Sequence, residues 1–119
     1  MRIVKTLKVV ALLMFLSTGV FLCALLSAAE DIPTIIIKDH RFSPEELKIP
    51  AGKKVKILVK NEDPSPEEFE SYDLKREKVV SAGGEIILFI GPIKAGVYKY
   101  FGDFHPQTAQ GRIVAQESS

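Results

Sequence analysis

Asp103 and His105 stand two residues apart near the C-terminal end of this 119-residue chain, with Pro106 directly after the histidine. Imidazole and carboxylate are both ligands for first-row metals, and a loop pinned between two strands would hold them at short range. Upstream, the stretch EEFES places Glu67, Glu68 and Glu70 within four positions. These five residues, Glu67, Glu68, Glu70, Asp103 and His105, are the metal-ligand candidates. Each also has an ordinary use. Asp103 suits a turn that bonds its own backbone, the glutamates suit a charged sheet edge, and His105 suits a loop cap. The other histidine, His40, lies beside Arg41 in a turn-like stretch. Nothing in the sequence fixes its direction, and it is not read as a ligand.

The elements that must hold these residues read as strands. Gly96 to Val114 divides into an incoming strand (97–101) with Tyr98 and Tyr100 at period two, a polar loop (102–110) and an outgoing strand (112–115). Earlier, TIIIK (34–38) is a β-branched run too short for a helix, and DHRFSP (39–44) turns the chain. Residues 45–50 are ambiguous between a helical turn and a strand, and Pro50-Ala51-Gly52 ends them. KKVKILVK (53–60) alternates cleanly, with Val55, Ile57 and Val59 on one face and the lysines on the other. Strands are also expected at 67–72, 74–80 and 85–90, with turns at NEDPSP, SAGG and GPIKAG. Alternation sorts the glutamates too: Glu68 and Glu70 share a face, about 6.8 Å apart along the strand, and Glu67 shares the other with Phe69. Seven or eight short strands with Gly/Pro turns predict an all-β, antiparallel Greek-key sandwich.

Two domain-level expectations follow from the N-terminal end. Residues 1–29 combine a basic start, a long apolar run and Ser27-Ala28-Ala29, the pattern of an export signal, with an uncleaved membrane anchor as the alternative. Residues 30–119 form the folded domain. The signal would remove Cys23, the only cysteine, together with Arg2, Lys5 and Lys8. Sixteen basic residues then become thirteen against fifteen acids, a net charge of −2. That balance gives no basic stripe for nucleic acid. The expected location is the periplasm.

The run FSPEELKIPAGKKVKILVKNED, followed by SPEEFE and GPIKAGVYKYFGDFHPQTAQGRIV, resembles the cupredoxins over residues 34–116. The specific parts are the Pro50-Ala51-Gly52 turn, Asn61-x-Asp63, and the spacing from Tyr98-x-Tyr100 to His105-Pro106 and Gly111. The resemblance implies a β-sandwich in which blue-copper members ligate copper through a histidine at the start of the strand after Asn-x-Asp. A cysteine, a histidine and a methionine on the last loop complete that set. Here Glu67, Gly102 and Ala109 hold three of those places, and only His105 matches. Without a thiolate, blue-copper electron transfer is excluded. Carboxylates with one imidazole suit iron, manganese or a non-blue copper.

The Glu68-Phe69-Glu70 strand and Arg76-Glu77 are also similar to the cupredoxin domains of Efe/Ftr-type bacterial iron-uptake systems. That narrower resemblance implies a periplasmic accessory that binds iron or copper and works with an inner-membrane iron permease or a periplasmic iron-binding partner. Two other functions fit the residues. One is a ferroxidase that oxidises Fe(II); the other is a metal-free frame used only for protein interaction.

Overall fold

The computed structural model describes residues 31–118. The export signal expected at 1–29, its anchor alternative and Cys23 lie outside the described residues. The described chain is all β. Its strands are β1 (Thr34–Lys38), β2 (Arg41–Ser43), β3 (Glu46–Pro50), β4 (Val55–Asn61), β5 (Glu67–Ser71), β6 (Arg76–Val80), β7 (Glu85–Ile90), β8 (Gly96–Gly102) and β9 (Gln110–Gln116). They form two sheets, one in the order β2-β1-β4-β7 and the other β3-β9-β8-β5-β6.

The sandwich matches the expected class, but its sheets are mixed. β1 runs parallel to β4 and β3 runs parallel to β9, while the remaining pairs are antiparallel. The ambiguous segment before Pro50 is the strand β3. The stretch 39–44, read as a turn, contains β2, whose Phe42 is buried.

Alternation builds the interior. Ile35 and Ile37 of β1 and Val55, Ile57 and Val59 of β4 face inward from the first sheet. Phe69, Val80, Tyr100 and Ile113 face them from the second. Three rings tie the sheets together near the loop end. Tyr100 stacks on Phe69 with centroids 4.9 Å apart, and Phe42 meets Tyr100 edge-on at 5.1 Å. Aromatic pairs in these arrangements contribute about 0.5–1.5 kcal/mol each beyond the area they bury.

Candidate metal centre

β5 sets the geometry of the site through its alternation. Glu67, Phe69 and Ser71 point into the sandwich, and Glu68 and Glu70 lie on the outer face. Next to β5 in the same sheet, β8 ends at Gly102, paired across from Phe69. The five residues singled out in the sequence therefore fall into two groups on opposite faces of one sheet. Glu67 and His105 meet on the inner side. Asp103 does not join its loop neighbour His105. One step past Gly102, it falls on the outer face with Glu68 and Glu70, where one carboxylate oxygen from each lies within 4.8 Å of the others. Its backbone N–H donates to the Glu68 carbonyl at 3.0 Å.

The inner group gains a third member that the sequence did not assign. One ligand atom each from His40, Glu67 and His105 lies within 4.8 Å of the other two. His105 Nδ1 is 2.7 Å from Glu67 Oε2, and the two imidazoles stack with centroids 3.5 Å apart and planes at 15°. Glu67 is 2 % exposed, so its charge is held by hydrogen bonds rather than by water. Its Oε1 accepts the backbone N–H of Glu68 at 3.0 Å and of Phe104 at 2.9 Å. Those two bonds fix the carboxylate's rotation and present Oε2 to the imidazoles. The His side chains are 43 % and 31 % exposed, so the group opens to the surface through its two rings.

His40 is aimed by its backbone. Asp39 and His40 have φ of 51° and 58° and form the two-residue connection between Lys38 and Arg41, the geometry of a type I′ hairpin. Side-chain-bearing residues adopt that region at a cost, so something must hold them there. Asp63 does: its carboxylate accepts the N–H of Asp39 at 2.7 Å and of His40 at 3.0 Å. Asn61 in turn accepts the Asp63 N–H through its side-chain oxygen, and its amide donates to Ser65 and Val80 carbonyls. Burial pushes the Asp63 carboxyl up. The two backbone donors and the nearby His40 and His105 outweigh it and hold the group below its usual range. Asp63 Oδ2 also lies 3.5 Å from His40 Nδ1, as a carboxylate behind a ligating imidazole would. The Asn61-x-Asp63 motif was visible in the sequence; that it orients His40 was not.

Gly102 makes room for this arrangement. A Cβ there would come 2.6 Å from Glu67 Cδ and 2.7 Å from both Glu67 Oε1 and Ala109 Cβ. The Glu67 carboxylate thus fills the volume that any side chain at Gly102 would need. Glu67, Gly102, His105 and Ala109 converge at one end of the sandwich, the four places at which the sequence departs from or keeps the copper ligand pattern. The residues 6–115 match the model of the cupredoxin-like domain family. The chain belongs to that family.

This cupredoxin-like chain is 45% identical over 83 residues to an uncharacterized protein of Rickettsia prowazekii (strain Madrid E), covering 70% of this chain and 66% of that one. The chain thus spans just under two thirds of that relative's length. Among solved structures it is similar to the novel purple cupredoxin of Nitrosopumilus maritimus, with TM-score 0.56 and 25% identity over 71% of this chain and 99% of that one. Auracyanin A, a "blue" copper protein from Chloroflexus aurantiacus, superposes with TM-score 0.62 at 16% identity over 74% of this chain and all of that one. Amicyanin from Paracoccus versutus gives TM-score 0.59 at 18% identity, covering 76% and 86%. The last two likenesses are likenesses of fold.

The donor set fits an ion. Metal bonds of about 2.1 Å place neighbouring ligand atoms about 3.0–3.4 Å apart, and the two near-parallel imidazoles must splay out of their stack for both lone pairs to reach one ion. Two imidazoles and a carboxylate form the facial set of non-haem Fe(II) centres, and they also serve a non-blue Cu(II). The outer group behaves differently. Hydrogen bonding to Glu77, burial, and the charges of Glu77, Asp103 and Glu70 push the Glu68 carboxyl up to about 7. Burial, Asp103 and Glu77 raise Glu70 as well.

Proposed function

We propose that the protein binds one iron or copper ion through His40, Glu67 and His105 and hands iron to an uptake permease outside the cytoplasm. The convergence of two imidazoles and one buried carboxylate from three separate segments carries the reading. Membership of the cupredoxin-like family supports a metal at this end of the fold. The change from sulfur to carboxylate ligands supports a harder ion than blue copper holds. Exposed imidazole edges suit transfer, because a receiving ligand can approach the ion from solvent. The bound ion is cargo here, and Glu67 supplies the fixed charge while the two histidines open or close the group. The outer carboxylates Glu68, Glu70 and Asp103 are proposed as a neighbouring acidic surface that draws cations toward the centre.

A second reading, an interaction module with no metal, is favoured by one observation: Glu67 already accepts hydrogen bonds at both oxygens. Titration separates the two. Purified protein is titrated with Fe(II) under argon, Fe(III)-citrate, Cu(II) and Mn(II), beside His40→Ala and His105→Ala. The metal reading expects one equivalent of Fe(II) or Cu(II), with affinity lowered in each variant by at least the about 10–100-fold that loss of an outer-shell partner alone costs. Parent and variants that bind equally weakly would leave the interaction module standing. Dioxygen consumption beyond one iron equivalent would make the protein a ferroxidase rather than a carrier.

A further inference from the structure

Alternation places Lys56, Leu58 and Lys60 of β4 and Glu85, Ile87 and Phe89 of β7 on the outer face of the first sheet. Register pairs Lys60 with Glu85, Leu58 with Ile87 and Lys56 with Phe89. Charge is thus balanced at the Lys60 end, beside Asn61, and not at the other. There Lys54 Nζ lies 4.7 Å from the centroid of the Phe89 ring. From the sheet edge, the Arg76 guanidinium donates to the Phe89 carbonyl at 3.3 Å. Lys54, Lys56 and Arg76 have no ion-pair partner among the described residues.

The apolar members break the usual pattern. A sheet face that meets only water carries polar side chains at its outward positions. Here Phe89 is 47 % exposed and Ile87 36 %, with Leu58 partly exposed between Lys56 and Lys60. Apolar side chains inside a rim of lysines suit the boundary layer of a bilayer, where rings enter among the headgroups and ammonium groups stay with the phosphates. An ammonium on a flexible stem favours attraction by many headgroups, whereas paired recognition of fixed carboxylates favours arginine. The one arginine here is spent on a backbone carbonyl. On the outer face of the second sheet, Lys48, Lys99 and Arg112 are met by Glu46, Glu68, Glu70 and Glu77. An anionic surface therefore orients the molecule with β4 and β7 toward it. The chain also arrives on this side: the uncharged residues 9–26, read above as an export signal or an anchor, precede β1 of the same sheet.

We propose that this face docks on a bilayer bearing anionic phospholipids, with Ile87 and Phe89 among the headgroups and Lys54 and Lys56 against their phosphates. Docking stands on these residues alone. From Lys54 to Asn61 the chain covers about 23 Å at ~3.3 Å per residue. Asn61 holds the backbone of Asp63, whose carboxylate lies behind His40. The proposed metal centre thus stays at the end of the sandwich away from the docked corner. The use of docking, keeping that centre beside a membrane permease, rests on the metal reading above.

Sedimentation with vesicles tests the face. The core residues lie between Ile35 and Ala115, so protein lacking residues 1–29 keeps the whole core and is the sample. It should sediment with vesicles of phosphatidylglycerol and phosphatidylcholine in equal parts, less so as salt rises, and not with phosphatidylcholine alone. Lys54→Gln/Lys56→Gln should weaken that binding about twenty-fivefold, about fivefold for each charge near the surface. Lys48→Gln/Lys99→Gln removes the same charge from the other sheet and should leave binding within about threefold of the parent. The chain has no tryptophan, so Phe89→Trp supplies a single reporter, whose emission should move to the blue on the mixed vesicles. Thermal melts confirm that each variant is folded. Failure to sediment at low salt, equal losses in the two double variants, or unshifted emission on bound vesicles overturns the docking. So does polyglutamate that binds where the vesicles do not, which makes an acidic polypeptide the occupant. His105→Ala should keep vesicle binding while losing metal affinity, and a parent that docks but binds no metal sinks the metal reading alone.

Discussion

Glu67 and Gly102 are one device at the scale of residues. The carboxylate reaches its two backbone donors only because position 102 lacks a Cβ, which would stand 2.6 Å from Glu67 Cδ. Gly102 has no positive φ, so space rather than backbone conformation makes glycine necessary there. Gly102→Ala should therefore cost about 1–3 kcal/mol, the range for overpacking a filled interior. In a Glu67→Ala background the same change should cost about 1 kcal/mol less, because the clash with the carboxylate is gone while Ala109 remains. Urea titration of the four proteins measures the coupling, and equal costs in the two backgrounds would refute it. Sequence reasoning found half of this device. Alternation put Glu67 on the face opposite Glu68 and Glu70, and the pattern of ligands placed Gly102 where a cysteine would stand. It did not find His40, whose direction comes from two left-handed residues held by a carboxylate 23 positions away. Local pattern holds no such information.

Among elements, β5 is the strand whose two faces do different work. Its inner face carries Glu67 of the proposed centre, and its outer face joins β6 and the end of β8 in a carboxylate cluster with Glu77 paired across from Glu70. That crowding has a consequence for pH. The Glu68 carboxyl sits at about 7 in the folded chain against an ordinary value of 4.5. Between these values the folded protein keeps a proton that the unfolded chain has released. The stability this group contributes is therefore fully present below about pH 4.5 and is lost as pH rises through about 7. Glu68→Gln should melt at the same temperature as the parent at pH 4 and above it at pH 8. A parallel pair of melting curves across that range would show that solvent relaxes the cluster. The elements themselves were mostly legible, because Val55, Ile57 and Val59, or Tyr98 and Tyr100, alternate over enough residues to mark a strand. β2 was not, since three residues with one apolar side chain give no period. The parallel pairing of β1 with β4 and β3 with β9 was hidden for another reason: strand order is decided by contacts between distant segments.

The whole molecule separates the stability of the frame from the occupancy of its end. Its core joins both sheets through Ile35, Ile37, Ile57 and Val59 on one side and Phe69, Val80, Tyr100 and Ile113 on the other, and none of these residues belongs to the proposed ligand set. The two carboxylates buried at the centre are satisfied without an ion, Glu67 by two backbone N–H groups and His105, and Asp63 by the N–H groups of Asp39 and His40. A domain that needs its metal to fold leaves a buried ligand unpaired when the ion is gone, and Glu67, the buried member of the proposed set, is paired. Exhaustive chelation should therefore leave a folded protein that melts in a single cooperative transition. Adding Fe(II) or Cu(II) at about a hundred times its Kd should then raise stability by about 2.7 kcal/mol, the mass-action gain for one site. His105→Ala should melt cooperatively and gain at most about 1.4 kcal/mol at the same metal concentration, since its Kd is at least about tenfold weaker. If chelation instead unfolds the parent, the hydrogen bonds at Glu67 do not compensate its burial, and the ion is part of the fold rather than its cargo.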